Sequence, residues 1–215
     1  MESVLTEAVA LLDEAGASAL TFRALAKRLG GGVASIYWYV ASKDELLDRA
    51  TDHVMGAVLA EIEKFPPGED PVDDLRLMAM TLFDAVVERP WLGAYFMRNT
   101  DVQSNSLRLY EKLGRQTLRL NLDARQRFHA VSAIFGVVVG SAIDLGQELP
   151  QEVLDGVVGR EDYLSRFARS WRELDPEEFP FVHEIADEFD GHDDLDQFRS
   201  ALELTLAGLR LQAGA

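Results

Sequence analysis

Hydrophobic residues recur at the spacing of an α-helix from the beginning of the chain to its end. The first stripe would occupy one face of an amphipathic helix and consists of Val4, Leu5, Ala8, Leu11, Leu12 and Ala15. Gly16 follows this stripe and is expected to end the helix. Thr21 is a typical N-cap residue and predicts a second, shorter helix, which Gly30 would end. Ile36 and Val40 lie four residues apart, so a third helix would turn this side inward.

Capping residues mark the beginning of a longer fourth helix. Ser42 and Glu45 have the S-x-x-E spacing of a capping box, which predicts a helix reaching about residue 64. The FPPGED sequence of residues 65–70 is typical of a linker because it concentrates proline, glycine and charge. We therefore expect a domain boundary there, with a head and connecting helix in residues 1–64 and a body in residues 65–215.

The body is also predicted to be helical. Helices are expected over about residues 71–88, 104–121, 123–148, 162–174, 175–189 and 195–211, with a short aromatic segment over residues 91–98. The alternation of apolar and polar residues that is typical of β-strands does not occur. The expected fold class is therefore all-α, with an N-terminal three-helix helix-turn-helix head, a connecting helix and a larger helical body.

The composition limits the chemistry that the chain can perform. The chain has 215 residues and no cysteine, which excludes disulfides and zinc sites built on thiolates. The four histidines are scattered, and no motif of nucleophilic catalysis or phosphate binding is present, so we expect no catalytic residues, no metal and no cofactor. The longest apolar run, residues 131–143, is shorter than the roughly 20 residues that span a bilayer, so a cytoplasmic protein is expected.

Charge is distributed unevenly, and this points to DNA. The segment from Thr21 to Lys43 contains four basic residues and no Asp or Glu. Removing these four charges from a net charge of −16 leaves −20 on the remainder. Because salt screens charges beyond about 8–10 Å, the local excess of cations decides whether phosphates are attracted. Two short helices joined by a glycine-rich turn, with cations on them, predict a DNA-binding helix-turn-helix.

The same segment resembles the tetracycline-repressor-like (TetR) family of transcriptional regulators. The matching elements are the end of the first helix, Leu11-Leu12-x-x-x-Gly16, the run Leu20-Thr21-x-Arg23-x-Leu25-Ala26, and the string IYWYVxSKxELL that begins at Ile36. The match covers about residues 3–60. It implies a homodimer that binds a palindromic double-stranded DNA operator, usually as a repressor, and that a small molecule releases.

The resemblance also implies which residues contact DNA. They are Thr21, Arg23, Val33, Ala34, Tyr37, Trp38, Tyr39 and Lys43. The run Gly31-Gly32-Val33-Ala34 departs from the family pattern, which has hydrogen-bonding side chains at the beginning of this helix. Apolar groups can contact thymine methyls but cannot form bidentate contacts to guanine or adenine. Specificity is therefore expected to depend on thymine contacts, on Arg23 and on DNA shape.

Two sets of body residues are candidates for binding other molecules. An aromatic and methionine-rich set would line a cavity for a hydrophobic or aromatic ligand, or would simply form the core; it consists of Met78, Leu82, Phe83, Trp91, Tyr95, Phe96, Asn99, Tyr110, Phe128, Val131 and Phe135. A small-residue stripe and the apolar face of the last helix are candidates for the dimer interface, namely Ser132, Gly136, Gly140, Phe198, Leu202 and Leu206. Packing within one subunit would explain the same pattern.

Two other functions are compatible with an all-helical chain. One is a small-molecule-binding protein or enzyme in which the head is only structural, but its polar reacting groups are not apparent. The other is a dimeric regulator without a ligand, whose body is filled by side chains. The volume of a cavity in the body would distinguish the last hypothesis from a ligand-controlled repressor.

Overall fold

The computed structural model describes residues 1–95, 104–145 and 150–214, and every regular element in these ranges is helical. The α-helices are α1 Glu2–Ala19, α2 Phe22–Arg28, α3 Val33–Ile36, α4 Lys43–Glu63, α5 Pro71–Glu88, α6 Ser104–Leu118, α7 Ala124–Leu145, α8 Gln151–Leu154, α9 Arg160–Arg172, α10 Pro180–Asp190 and α11 Asp194–Ala213. A 3₁₀ segment occupies Pro90–Ala94. The predicted all-α class is confirmed. Of the described helices, none combines the length and apolarity that crossing a membrane requires.

The head forms around one hydrophobic cluster supplied by α1, α2, α3 and the beginning of α4. Its buried members are Val4, Ala8, Leu11, Leu12, Leu20, Leu25, Ala26, Ile36, Val40, Leu46, Leu47 and Ala50. Gly16 interrupts α1 with a φ of 68°, a left-handed conformation that favours glycine, so the chain bends there as its sequence indicates. Ile36 and Val40 are 1% and 2% exposed, as predicted, but the third helix is shorter than expected, since it ends at Ile36 and Val40 lies after it.

The predicted caps are present. The Ser42 hydroxyl accepts a hydrogen bond from the Glu45 backbone N–H at 3.1 Å, and the Glu45 carboxylate accepts one from the Ala41 N–H at 2.8 Å. Asp123 and Gln126, which have the capping-box spacing just before α7, also join through two hydrogen bonds of 2.8 Å. Each box satisfies backbone donors that the first turn of a helix leaves without partners. The starts of α4 and α7 therefore follow from short sequence motifs.

Two predicted boundaries are wrong. The helix expected over residues 175–189 begins at Pro180, because Asp175 accepts a hydrogen bond from the Glu177 N–H at 2.9 Å and forms a local turn instead of a helix cap. The helix expected over residues 104–121 ends at Leu118. In both cases a turn with its own hydrogen bonds competes with the helix, and a side-chain pattern does not reveal which one is more stable.

The described chain divides into two compact units. One contains residues 1–146 and 201–215, and the other contains residues 147–200. The expected head and the first part of the expected body therefore belong to the same unit. Within it, α4 contributes Leu46 and Leu47 to the head cluster, and its later turns bury Val58 and Ile62. The connecting helix is thus packed along most of its length.

Candidate nucleic-acid interface

Three consecutive aromatic residues follow α3 and point into solvent. Tyr37, Trp38 and Tyr39 are 60%, 89% and 42% exposed. The Tyr37 ring contacts the Phe22 ring edge to face, with centroids 4.9 Å apart, so α2 orients it. Trp38 is among the most exposed large side chains of the protein, and burying so much apolar surface is favourable. A tryptophan with this much exposed surface indicates a site that binds a partner.

The three cations of α2 differ in their partners. Arg28 forms ion pairs with Glu14 and, at 3.7 Å, with Glu7, both on α1. The hydrogen bond between Arg28 and Glu14 raises the pKa of the arginine and lowers the pKa of the glutamate. No hydrogen bond or ion pair joins exposed Arg23 or Lys27 to another described residue. These two cations are therefore available to phosphates, whereas Arg28 is engaged within the head.

Two predicted DNA contacts also have structural partners. The Lys43 ammonium donates a hydrogen bond to the Ala17 carbonyl at 2.6 Å, which ties the first turn of α4 to the end of α1. The Thr21 hydroxyl accepts one from the Ala24 N–H at 3.1 Å and caps α2. Both residues are exposed, so they can also face a duplex. Replacing either residue would change local structure as well as any contact with DNA.

The turn between α2 and α3 exposes small groups. Gly32 is the N-cap of α3, and both Val33 and Ala34 lie outward, with Val33 39% exposed. Exposed Ser35 donates a hydrogen bond to the Gly32 carbonyl at 2.6 Å, and its oxygen can still accept one. The sequence reasoning passed over Ser35, although it is a polar residue within the exposed stretch. It adds a hydrogen-bonding group to a surface that is otherwise apolar at this point.

The residues predicted to line a ligand cavity are distributed over three places. Met78, Leu82, Phe83, Val131 and Phe135 are at most 8% exposed and belong to the core. Trp91 and Tyr95 pack against the hydrophobic cluster of the head. Phe128 is 59% exposed on α7. Phe96 and Asn99 lie outside the described residues. Among the described members, the predicted common lining is therefore not formed, because most of them are buried in the core or pack against the head cluster.

A shallow groove of about 260 Å³ lies between α6 and α7. Tyr110, Leu118 and Phe128 contribute apolar surface to it, and Val131 closes its base. Arg127, which also borders the groove, donates a hydrogen bond to the Thr117 carbonyl at 3.2 Å. Tyr110 stacks on Phe135 with centroids 5.5 Å apart, so the groove is continuous with the core. Three residues of the predicted ligand set meet here.

The predicted dimer residues fall into two groups. Ser132, Gly136 and Gly140 are exposed on α7, and no atom lies within 4 Å of where a Cβ at either glycine would be. Phe198, Leu202 and Leu206 are instead at most 1% exposed, because this side of α11 packs inside the protomer. The outward side carries Leu204 and Leu211, which are 77% and 81% exposed, with Ala207 between them. The unpartnered apolar surface of α11 is therefore opposite to the predicted one.

An aspartate of α4 caps α6. The Asp52 carboxylate accepts hydrogen bonds from the backbone N–H groups of Asn105 at 2.7 Å and Ser106 at 3.1 Å, and from the Asn105 side-chain amide at 3.1 Å. Asp52 is 8% exposed. The Asp52 carboxylate oxygens thus accept hydrogen bonds from backbone N–H groups at the N-terminus of α6, the positive end of the helix dipole, as a local N-cap residue would. Gly56 permits this approach, since a Cβ there would lie 3.0 Å from the Asn105 amide nitrogen.

Two regions of the chain match known protein families. Residues 4–50 match the family described as "Bacterial regulatory proteins, tetR family". Residues 65–213 match the one described as "Tetracyclin repressor-like, C-terminal domain". The first region contains the exposed aromatic residues and the cations of α2.

Curated relatives of the chain are named as transcriptional regulators. An HTH-type transcriptional regulator from Saccharopolyspora erythraea is 38% identical over 93 residues, which is 43% of this chain and 38% of the relative. This chain thus spans less than half the length of that relative. The HTH-type transcriptional repressor DrrR1 from Streptomyces coeruleorubidus is 25% identical over 219 residues, covering 98% of this chain and 77% of the relative.

Solved structures share the fold over nearly the whole chain. The TetR transcriptional regulator SCO7222 from Streptomyces coelicolor is 33% identical, with a TM-score of 0.81 over 99% of this chain and 98% of that one. The TetR family protein ActR from the same organism, in complex with actinorhodin, gives a TM-score of 0.80 over 100% of this chain and 98% of that one. ActR is 24% identical, so this second likeness bears on the fold alone.

Proposed function

This chain belongs to the tetR family of bacterial regulatory proteins, and from that premise we propose that it represses transcription as a homodimer on a palindromic operator and is released by a small hydrophobic or aromatic molecule. The family and its relatives are transcriptional regulators and not enzymes. One of the relatives is named a repressor, which supports the same direction of regulation here.

The exposure of Trp38, together with Arg23 and Lys27 exposed on α2 and paired with no other described residue, is the observation that carries the DNA-binding part of the proposal. These side chains would lie against a duplex with the α3 turn in the major groove. The cations would contact phosphates and release counterions, which supplies much of the affinity. Val33 and Ala34 would contact thymine methyls, and Ser35 would add a hydrogen bond to a base edge or phosphate.

Pairing through α7 and α11 would present two heads to one operator. On α7, exposed Gly136 and Gly140 leave room for another helix to approach closely. On α11, Leu204 and Leu211 would bury apolar surface that is now exposed. The proposed interface therefore consists of the predicted α7 residues and of the outward side of α11, in place of the α11 residues that were predicted. A twofold axis between two copies would give a palindromic site.

The α6–α7 groove is the proposed contact for an effector. Its stacked Tyr110 and exposed Phe128 suit a flat, apolar molecule. ActR, a protein of the same fold, has been solved with actinorhodin. An effector that moved α6 would act on α4 through the capping contact between Asp52 and Asn105. Because α4 continues into the head, a shift there would favour a pose with weaker DNA binding.

Selection from a pool of random duplexes tests the DNA-binding proposal. The purified chain should enrich a sequence with two inverted half-sites, and a variant with Arg23→Ala and Trp38→Ala should enrich none. The Arg28→Ala variant is the matched control, since that arginine is paired with α1, and it should enrich the same sequence as the wild type. If the folded wild-type chain recovered duplexes among which no sequence was enriched, the proposal would be contradicted.

A further inference from the structure

A second connection joins the head to the body, and it does not run through α4. The Trp91 indole N–H, in the 3₁₀ segment Pro90–Ala94, donates a hydrogen bond to one Asp13 carboxylate oxygen at 2.7 Å. The Arg89 guanidinium lies 3.2 Å from the other oxygen. Asp13 is on α1, so one carboxylate of the head holds two side chains of the body. We refer to these three residues as the Asp13 clasp.

Apolar packing surrounds the Asp13 clasp. Trp91 and Tyr95 are partly buried against the hydrophobic cluster of the head. The next residue of the 3₁₀ segment, Leu92, is 0% exposed. The segment also packs against α7, which carries Gly136 and Gly140. It therefore lies between the head and the helix that we propose to form the dimer interface.

Geometry explains why a second connection matters. A head attached only through α4 could still rotate about the junction between that helix and the body. A contact away from the helix axis removes this rotation, and a carboxylate that accepts one N–H hydrogen bond and faces one guanidinium charge also fixes direction. The Asp13 and Arg89 side chains are partly exposed, at 33% and 23%, so salt screens their ion pair less than it would screen a fully exposed one.

We propose that Asp13 is a positioning residue whose clasp by Trp91 and Arg89 holds the head in one orientation on the body and thereby fixes the half-site spacing that the protein accepts. This inference rests on the proposed function, because spacing has a meaning only for a dimer on DNA. Asp13 itself need not contact the duplex. Each base pair inserted between half-sites rotates the second one by about 34–36° around the duplex axis, so a fixed head would tolerate few insertions.

Two variants of different chemistry test the clasp. Asp13→Asn keeps an oxygen for the Trp91 N–H but loses the charge that pairs with Arg89. Trp91→Phe keeps an aromatic ring in the head cluster and loses the N–H. Glu14→Gln is the matched control, because it breaks an ion pair of the neighbouring α1 residue that lies wholly within the head. Thermal unfolding would verify that each variant is folded.

The first measurement needs neither DNA nor a dimer. The chain has no cysteine, so Lys27→Cys on α2 and Leu118→Cys on α6 can carry two spin labels. Dilution with unlabelled chain restricts the measurement to distances within one chain. The wild type and Glu14→Gln should give one narrow distance distribution, whereas Asp13→Asn and Trp91→Phe should broaden or shift it. An unchanged distribution in both clasp variants would overturn the proposal.

The second measurement compares duplexes in which one or two base pairs are inserted between the enriched half-sites. Wild-type affinity should fall by about tenfold or more per insertion, on the order of a mismatched base pair. In the two clasp variants the fall should be less than about threefold, while the salt dependence on the best duplex stays unchanged. If the clasp variants lost as much affinity per inserted base pair as the wild type, the role of Asp13 in spacing would be overturned. Failure of the wild type to bind any duplex would instead contradict the proposed function, and the distance measurement would still decide the clasp.

Discussion

Arg23 and Arg28 are on the same short helix but have different surroundings. Arg28 is paired with Glu14 and Glu7, whereas no described residue pairs with Arg23. To bind Arg28 a phosphate must compete with two carboxylates, whereas to bind Arg23 it needs only to displace water. The prediction of DNA contacts therefore has to be made for each cation, and the sequence alone did not distinguish the two arginines.

Arg23→Ala should weaken binding to the enriched operator and lower the magnitude of the salt slope, the slope of log affinity against log salt, by about 0.9, the value for one lost phosphate contact. Its midpoint of thermal unfolding should stay unchanged because no described residue pairs with the side chain. Binding isotherms at several salt concentrations measure the slope. Arg28→Ala should leave the slope unaltered; if instead it reduced the slope as much as Arg23→Ala, the assignment of the two arginines would be wrong.

The Glu45 cap should make the head sensitive to acid. Its hydrogen bond from the Ala41 N–H, helped by Arg49, lowers the pKa of the Glu45 carboxyl below its ordinary value of 4.5. A folded-state pKa below the unfolded-state pKa means that the stabilisation is complete above pH 4.5 and is lost as pH falls through the lowered pKa. Glu45→Gln can still cap, so its free energy of unfolding should fall less steeply with acid.

Ser42→Ala serves as the comparison for that experiment. It removes the acceptor for the Glu45 N–H and should cost about 0.5–2 kcal/mol at neutral pH. Because Glu45 remains charged in this variant, its acid dependence should resemble that of the wild type. Denaturant unfolding between pH 3 and 7 gives both quantities. A Glu45→Gln variant with the full acid sensitivity of the wild type would show that other carboxylates dominate.

At the scale of helices, two glycines that look alike in the sequence have opposite environments. A Cβ at Gly136 would meet nothing within 4 Å, whereas one at Gly56 would lie 3.0 Å from the Asn105 amide. Gly136 faces outward on α7, and Gly56 faces another helix of the same protomer. The first is therefore available for contact between subunits, and the second serves packing within one chain.

Gly136→Leu should convert the proposed dimer to a monomer without lowering the stability of the isolated chain. The new side chain has room in the protomer and favours the helix by about 0.5–1 kcal/mol, whereas it would hold a partner helix away. Sedimentation measures the oligomeric state. Gly56→Leu is the contrasting variant, at a glycine packed within the protomer, and it should lower thermal stability by disturbing the Asp52 cap. A Gly136→Leu chain that sediments as a dimer would exclude this face.

Much of the helical plan could be predicted from local patterns. The capping boxes at Ser42 and Asp123, the break at Gly16 and the inward side of the third helix depend on residues close in sequence, and each is present. The last helix shows the limit. Leu202 and Leu206 made the more regular apolar face, yet Arg210 binds Asp70 at 2.6 Å and fastens α11 to α5, so that face is inside.

In the candidate site, too, features that depend on neighbouring residues could be predicted and features that depend on distant contacts could not. The exposure of Tyr37 and Trp38 could be predicted because three adjacent aromatic residues cannot all face one core, although these residues lie in a turn after α3 and not in the helix. The partners of Lys43 and Arg28, and the scattering of the ligand set, depend on contacts between residues distant in sequence. Periodicity identifies which residues are apolar, but it does not identify which of them meet. The Asp13 clasp has no signature in the sequence for this reason.

For the molecule as a whole, the distribution of charge decides how it meets DNA. A net charge of −16 repels a duplex in general, while the segment from Thr21 to Lys43 carries only positive charges. Screening over about 8–10 Å confines the repulsion to surfaces that come close to the phosphates. The exposed surface of the segment from Thr21 to Lys43 should therefore approach the duplex without repulsion, which favours one orientation of the protein over all others.

A hydroxyl-radical footprint on the enriched operator tests whether a dimer presents the exposed cationic and aromatic surface twice. The protein should protect two stretches of backbone on one face of the duplex, with centres about 34 Å apart, and two chains should be bound at saturation. The Arg23→Ala, Trp38→Ala variant should protect neither stretch at the same concentration. One protected stretch with a single bound chain, or uniform protection along the duplex, would contradict the account.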